Sequence, residues 1–264
     1  MIDTIRRRPR PPHPTKVDTQ FSTLDQSGDR VLGATLSRMT NETNKSVLRW
    51  GGLTSIGGGL LFILVFAWVI VLAGPDPDGP VEAITRFPEI KMVRTVENGL
   101  YLAALALWVP VYLALSRALG RAPALFGAAL GILGLGVLAA GAIPHVATSP
   151  LADLYHAPGA TQADRATLVL VWQAVQGIFD ALLLTGLLLM AIGVALLGWA
   201  MRADHTFGQP IAWVSTLLGA AALASGIAVL IDPASMVAAL GIFALIAFHL
   251  VIGWKVYRLS KSAG

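Results

Sequence analysis

Two ionisable side chains stand deep inside runs that otherwise carry no charge. Asp180 lies in LVLVWQAVQGIFDALLLTGLLLMAIGVALLGW, residues 168–199, and His249 lies in VAALGIFALIAFHLVIGW, residues 237–254. Counted from the outer end of each run, Leu168 for one and Met236 for the other, Asp180 is ~18 Å in and His249 ~20 Å in at 1.5 Å per helical residue. An acid and an imidazole at matching depth can hold or relay a proton, or bind a cationic or hydrogen-bonding solute. They can also serve as general acid and base.

Other polar groups fall in register with them. Gln173, Gln176 and Asp180 lie within about 60° of one another on a helix, a stripe too narrow and too polar to face hydrocarbon. Glu97, Tyr101, Trp108 and Tyr112 share one face of another apolar segment. The expected site is thus a polar cavity opening outward. Glu97 and Asn98 stand at its mouth, the two glutamines lie below, and Asp180 and His249 form its floor.

A second cluster, His145, Asp153 and His156, lies in the stretch PHVATSPLADLYHAPG, read as an outer loop. These three could form an open zinc site, but their spacing matches no metal motif and no metal is expected. Haem requires two histidines facing each other at one depth, which His145 and His249 do not offer, so no cofactor is expected. Thiolate chemistry and disulfides are excluded, because the chain has no cysteine. No phosphate-cradling, nucleophile-elbow or HExxH motif occurs in a supporting context, and no basic–aromatic interleaving suggests nucleic acid.

The elements that must position these groups are membrane spans. Hydrophobic residues make up 55% of the 264-residue chain and charged residues 13%. Soluble domains carry roughly twice that charge. Apolar runs predict an all-α, polytopic six-helix bundle over residues 47–259, with spans at about 50–73, 97–116, 123–144, 165–199, 210–230 and 234–257. GPDPDGP ends the first span, and Pro110 should kink the second. The third carries Gly127, Gly131, Gly134, Gly136 and Gly141, so it should pack closely against its neighbours. Thr161 and Asp164 form a capping box that would start the fourth near Gln162. That helix is then much longer than the bilayer is thick, so it must tilt, protrude or break at Gly186 or Gly193. Asp232-Pro233 reads as N-cap and first residue of the sixth span. Residues 1–46, with RRRPRPPHP near the start, read as a disordered cytoplasmic tail. Met39 is a second candidate start.

Basic residues concentrate on one side: the tail, Arg117, Arg121, Arg202, Lys255, Arg258 and Lys261. The positive-inside rule therefore places both termini in the cytoplasm. The turn LSRALGRAPALFGAALG is echoed by GWAMRADHTFGQPIAWVSTLLG, consistent with two hairpins of like orientation. The span pattern, the TFGQPIAW turn and the glutamine-bearing fourth span resemble a group of small bacterial integral membrane proteins assigned to a domain of unknown function. The resemblance covers about residues 49–258 and implies a six-helix bundle in the bacterial inner membrane, with no reaction attached.

The leading expectation is a non-enzymatic protein that binds or conducts a small solute through the outward cavity, with the lipid bilayer as its surroundings. One alternative is an intramembrane enzyme with Asp180 and His249 as acid and base. Another is an assembly partner, of itself or of another membrane protein, acting through the glycine-rich faces.

Overall fold

The computed structural model describes residues 19–75, 77, 79–232 and 237–262, with side chains from Glu42 onward except at residue 238. It divides into two units, Met1–Asn44 and Lys45–Gly264, and the second of them is the helical bundle. The described residues form seven α-helices and no strand: α1 Thr19–Leu72, α2 Pro80–Leu119, α3 Ala122–Ala140, α4 Ala142–Tyr155, α5 Gln162–Arg202, α6 Gln209–Ile231 and α7 Val237–Ser262. Among the described residues, six helical segments are long and apolar enough to cross a membrane, with α3 and α4 together making one of them. The protein is a multi-pass membrane bundle.

The helix ends follow from local chemistry. Thr161 Oγ1 accepts the Asp164 N–H while the Asp164 carboxylate accepts the Thr161 N–H, the reciprocal cap expected from the sequence. Helix α2 opens with Pro80 in its first turn and ends at Gly120, whose φ of 56° suits a residue without Cβ. Arg86 on α2 donates to the carbonyls of Pro75 and Ala73, satisfying acceptors at the end of α1.

Several helices differ from the sequence expectation. Helix α1 begins at Thr19, inside the stretch read as a disordered tail, because no proline occurs between Pro14 and Pro75 to stop it. The earlier part of that tail, with its arginines, lies outside the described residues. Helix α2 starts seventeen residues before Glu97, carrying Pro88 as well as Pro110 inside it. The stretch read as an outer loop is helix α4: Pro144 falls in its first turn, where a missing N–H is harmless, and Pro150 is absorbed further on. Helix α5 runs unbroken through Gly186 and Gly193 for 41 residues. At 1.5 Å per residue that is about 60 Å, so it extends well beyond a ~30 Å hydrocarbon layer. Asp232 stands at the C-terminal end of α6, and any role as N-cap of the last helix falls on undescribed residues.

Close backbone approach holds the bundle together. A Cβ added at Gly134 would sit 2.7 Å from the Gly186 carbonyl oxygen, and one at Gly193 would sit 2.6 Å from that of Gly127. Helices α3 and α5 therefore touch backbone to backbone, which gains dispersion where hydrocarbon offers no hydrophobic drive. On the next face of α5, Gly198 meets Thr216, and Gly219 of α6 meets Ala195. Helix α5 is the centre of the bundle, gripped on two faces. Helix α1 meets α7 the same way: a Cβ at Gly52 would lie 2.5 Å from the Tyr257 nitrogen, and Ser55 donates to the His249 carbonyl at 2.7 Å.

Candidate functional site

His249 is wholly buried, and its partners are aromatic. Its ring stacks on Trp108 with centroids 3.7 Å apart at 8°, and Trp108 stacks in turn on Phe62 at 4.6 Å and 15°. Tyr112 and Phe248 meet the imidazole edge-on, at 5.5 Å and 5.2 Å. Nδ1 lies 2.7 Å from the Leu245 carbonyl, and Nε2 has no hydrogen-bond partner among the described residues. Asp180 is exposed, and Gln176 donates to its carboxylate at 3.4 Å. The expected Asp180–His249 pair is therefore not made. Equal depth fixes height along the membrane normal but not azimuth. His249 turns toward α1 and α2, whereas Asp180 turns to the edges of α5.

The polar stripe does line a cavity. A chamber of about 580 Å³ lies between the start of α2, α4 and the first half of α5. Its walls include Gln173, Gln176, Asp180, Glu97 and three groups the sequence did not point to here: Arg86, Arg94 and Trp172. Arg94 pairs with Glu97 at 2.9 Å, both side chains being about one-fifth exposed. His145 also enters the wall, packed on Phe179 at 5.3 Å and within electrostatic reach of Glu97 and Arg94. Phe87 supports Trp172 edge-on at 5.4 Å.

A second cavity of about 180 Å³ lies deeper, lined by Phe62, Phe66, Tyr101, Trp108, Asn98, Met190 and aliphatic residues of α5 and α7. Glu97, His145 and Phe179 belong to the walls of both cavities. The polar chamber thus adjoins the aromatic one across those three side chains. Tyr101 is anchored by donating to the Leu138 carbonyl at 3.2 Å. Asn98 Oδ1 and Trp108 Nε1 are buried and have no partner among the described residues. Tyr112, expected on the cavity wall, is instead fully buried against α3, where its ring fills the space that a Cβ at Gly131 would take. A third cavity of about 430 Å³ runs between α5, α6 and α7 and shares Leu183, Leu187, Ile242 and Leu245 with the aromatic chamber. Asp180 lines both this groove and the polar chamber.

No known family, curated protein or solved structure matches this chain. Its chemistry is therefore read from the site alone.

The second sequence cluster is dispersed. Asp153 pairs with Lys91 at 2.8 Å, and His156 Nδ1 lies 2.8 Å from the Ala152 carbonyl. Because α4 is a helix, His145 and His156 are separated by roughly 16 Å of rise and cannot share an ion. Among the described residues no group of three metal-ligating side chains is gathered anywhere. The signal for His145 was present in the sequence, since a helical reading of residues 142–155 puts His145 at the end nearest Glu97. The two prolines in that stretch hid it.

Proposed function

We propose that the protein binds a small amphiphile, with its polar end among Arg94, Glu97, His145 and the Gln176–Asp180 pair and its apolar end in the aromatic chamber. The observation that carries this reading is the shared wall of Glu97, His145 and Phe179, which sets a charged chamber directly against an apolar one. The unpartnered Asn98 Oδ1 and Trp108 Nε1 support it, because buried polar groups normally have partners and a ligand could supply them. Size narrows the class. A dry engineered cavity of about 150 Å³ takes up benzene, so about 180 Å³ suits an apolar part the size of one aromatic ring. The head must satisfy both signs of charge, Arg94 and Arg86 against Glu97 and Asp180, which favours a zwitterion or a neutral hydrogen-bonding group.

Binding is the reading favoured over conduction, because aromatic side chains occupy the bundle beside the deeper cavity. Phe62 and Trp108, which line it, stack on one another, and Trp108 stacks on the buried His249 ring. Acid–base catalysis by Asp180 and His249 lacks support, since the two do not meet. The groove between α5, α6 and α7 offers a route from the lipid side. By the distribution of Lys and Arg, the polar chamber faces away from the cytoplasm and both termini lie within it. A bacterial inner membrane suits this arrangement.

Phenylalanine in lipid nanodiscs is a direct probe, having a ring and a zwitterionic head. Saturable binding is expected by calorimetry, weakened about tenfold or more in Glu97→Gln, since hydrogen bonds to charged groups are the strong ones. Toluene, with no head, should bind parent and Glu97→Gln alike. Leu187→Trp, which fills the aromatic chamber, should weaken phenylalanine and toluene alike. Absence of saturable binding by the parent, or a phenylalanine affinity in either variant equal to the parent's, contradicts the proposal.

A further inference from the structure

Away from these chambers, at the opposite end of the bundle, the last turn of α7 and the membrane entry of α1 enclose a separate cavity of about 650 Å³. Lys45 and Arg49, one helical turn apart on α1, line it together with Lys261 of α7 and the hydroxyls of Ser46 and Ser260. Among the described residues no carboxylate lines it. Just inside, Gly52 of α1 meets Gly253 and Tyr257 of α7 backbone to backbone, and the pocket lies next to that contact, between the Lys45–Trp50 stretch of α1 and the last turns of α7. Lys261 Nζ is held 4.7 Å above the Tyr257 ring, which fixes a long cationic side chain at the rim.

The level of this pocket is marked by aromatic anchors. Trp50 is exposed beside it, and Trp254 carries Arg258 at 4.7 Å. At the same end, Arg202 is sandwiched with Trp199 at 5.0 Å and Trp213 at 4.0 Å. Trp and Tyr gather at the headgroup layer, and basic clusters there attract anionic lipid. Three cations converging on one cavity outweigh the negative end of a single helix dipole. We propose that this pocket binds a phosphate group, supplied by the headgroup of an anionic phospholipid.

The full chain in nanodiscs of equal phosphatidylglycerol and phosphatidylcholine tests this by native mass spectrometry of the lipids retained on release. The parent should keep phosphatidylglycerol preferentially, and the double variant Arg49→Gln/Lys261→Gln should lose that preference on the order of 20-fold. Lys45→Gln alone, a milder change, should lose about fivefold. Arg117→Gln/Arg121→Gln removes the same charge from another exposed turn and should leave the preference intact. Equal retention of both lipids by the parent, or equal loss in both double variants, overturns the proposal. Release of the lipid by added inorganic phosphate alone would overturn the headgroup as the source and assign the pocket to free phosphate.

Discussion

His249 has an imidazole nitrogen with no partner among the described residues, and it is enclosed by the rings of Trp108, Tyr112 and Phe248 rather than by an acid. Its backbone duties do not depend on the ring, since the carbonyl receives Ser55 whatever the side chain. His249→Phe keeps the stack on Trp108 and removes the unsatisfied nitrogen. It should unfold at equal or higher temperature, a gain of up to about 2 kcal/mol, because an orphaned buried polar atom costs about that much. A clear loss of stability in a thermal melt would mean that Nε2 has a partner in the membrane or that the lost Nδ1–Leu245 contact outweighs the orphaned nitrogen. At Gly131 the sign reverses. A Cβ there would lie 2.2 Å from Tyr112 Cε1, so Gly131→Ala should cost about 1–3 kcal/mol by overpacking. Gly57 has no atom within 4 Å of the same added carbon, and Gly57→Ala should stabilise by about 0.5–1 kcal/mol through helix propensity. Denaturation of the pair in one detergent reads both predictions.

At the scale of elements, α5 carries the bundle because small residues let two helices reach its backbone. Gly186→Ala and Gly193→Ala each push a methyl within 3 Å of a facing carbonyl on α3, and each should destabilise by about 1–3 kcal/mol. Gly177→Ala, in open space on the same helix, should not. The glycines of the third span, the capping box and the polar stripe were legible in the sequence because each is a local pattern read at helical period. Close packing of α3 needed only the spacing of its small residues. Two things were not legible. The azimuth of α7 about its axis depends on which neighbours its glycines and aromatics meet, so His249 could be placed in depth but not in direction. Helix α4 was hidden by Pro144 and Pro150, and with it went the juxtaposition of His145 with Glu97.

For the whole molecule, six helical segments able to cross a membrane among the described residues, with the asymmetric distribution of Lys and Arg, predict the orientation proposed above. The absence of cysteine makes this easy to read, since any introduced thiol is unique. A cysteine at Ala160, in the turn before α5, should react with a membrane-impermeant maleimide on intact cells. One at His205, between α5 and α6, should react only after permeabilisation. The reverse pattern would turn the bundle over and place the polar chamber on the cytoplasmic side.

The two-chamber site is tested most directly by locating a heavy atom. In a structure determined with para-bromophenylalanine, the bromine should appear between Phe62, Tyr101 and Met190, with the amino and carboxyl groups at Glu97 and Arg94. Bromine found in the groove between α6 and α7, or only in the surrounding lipid, would contradict the account.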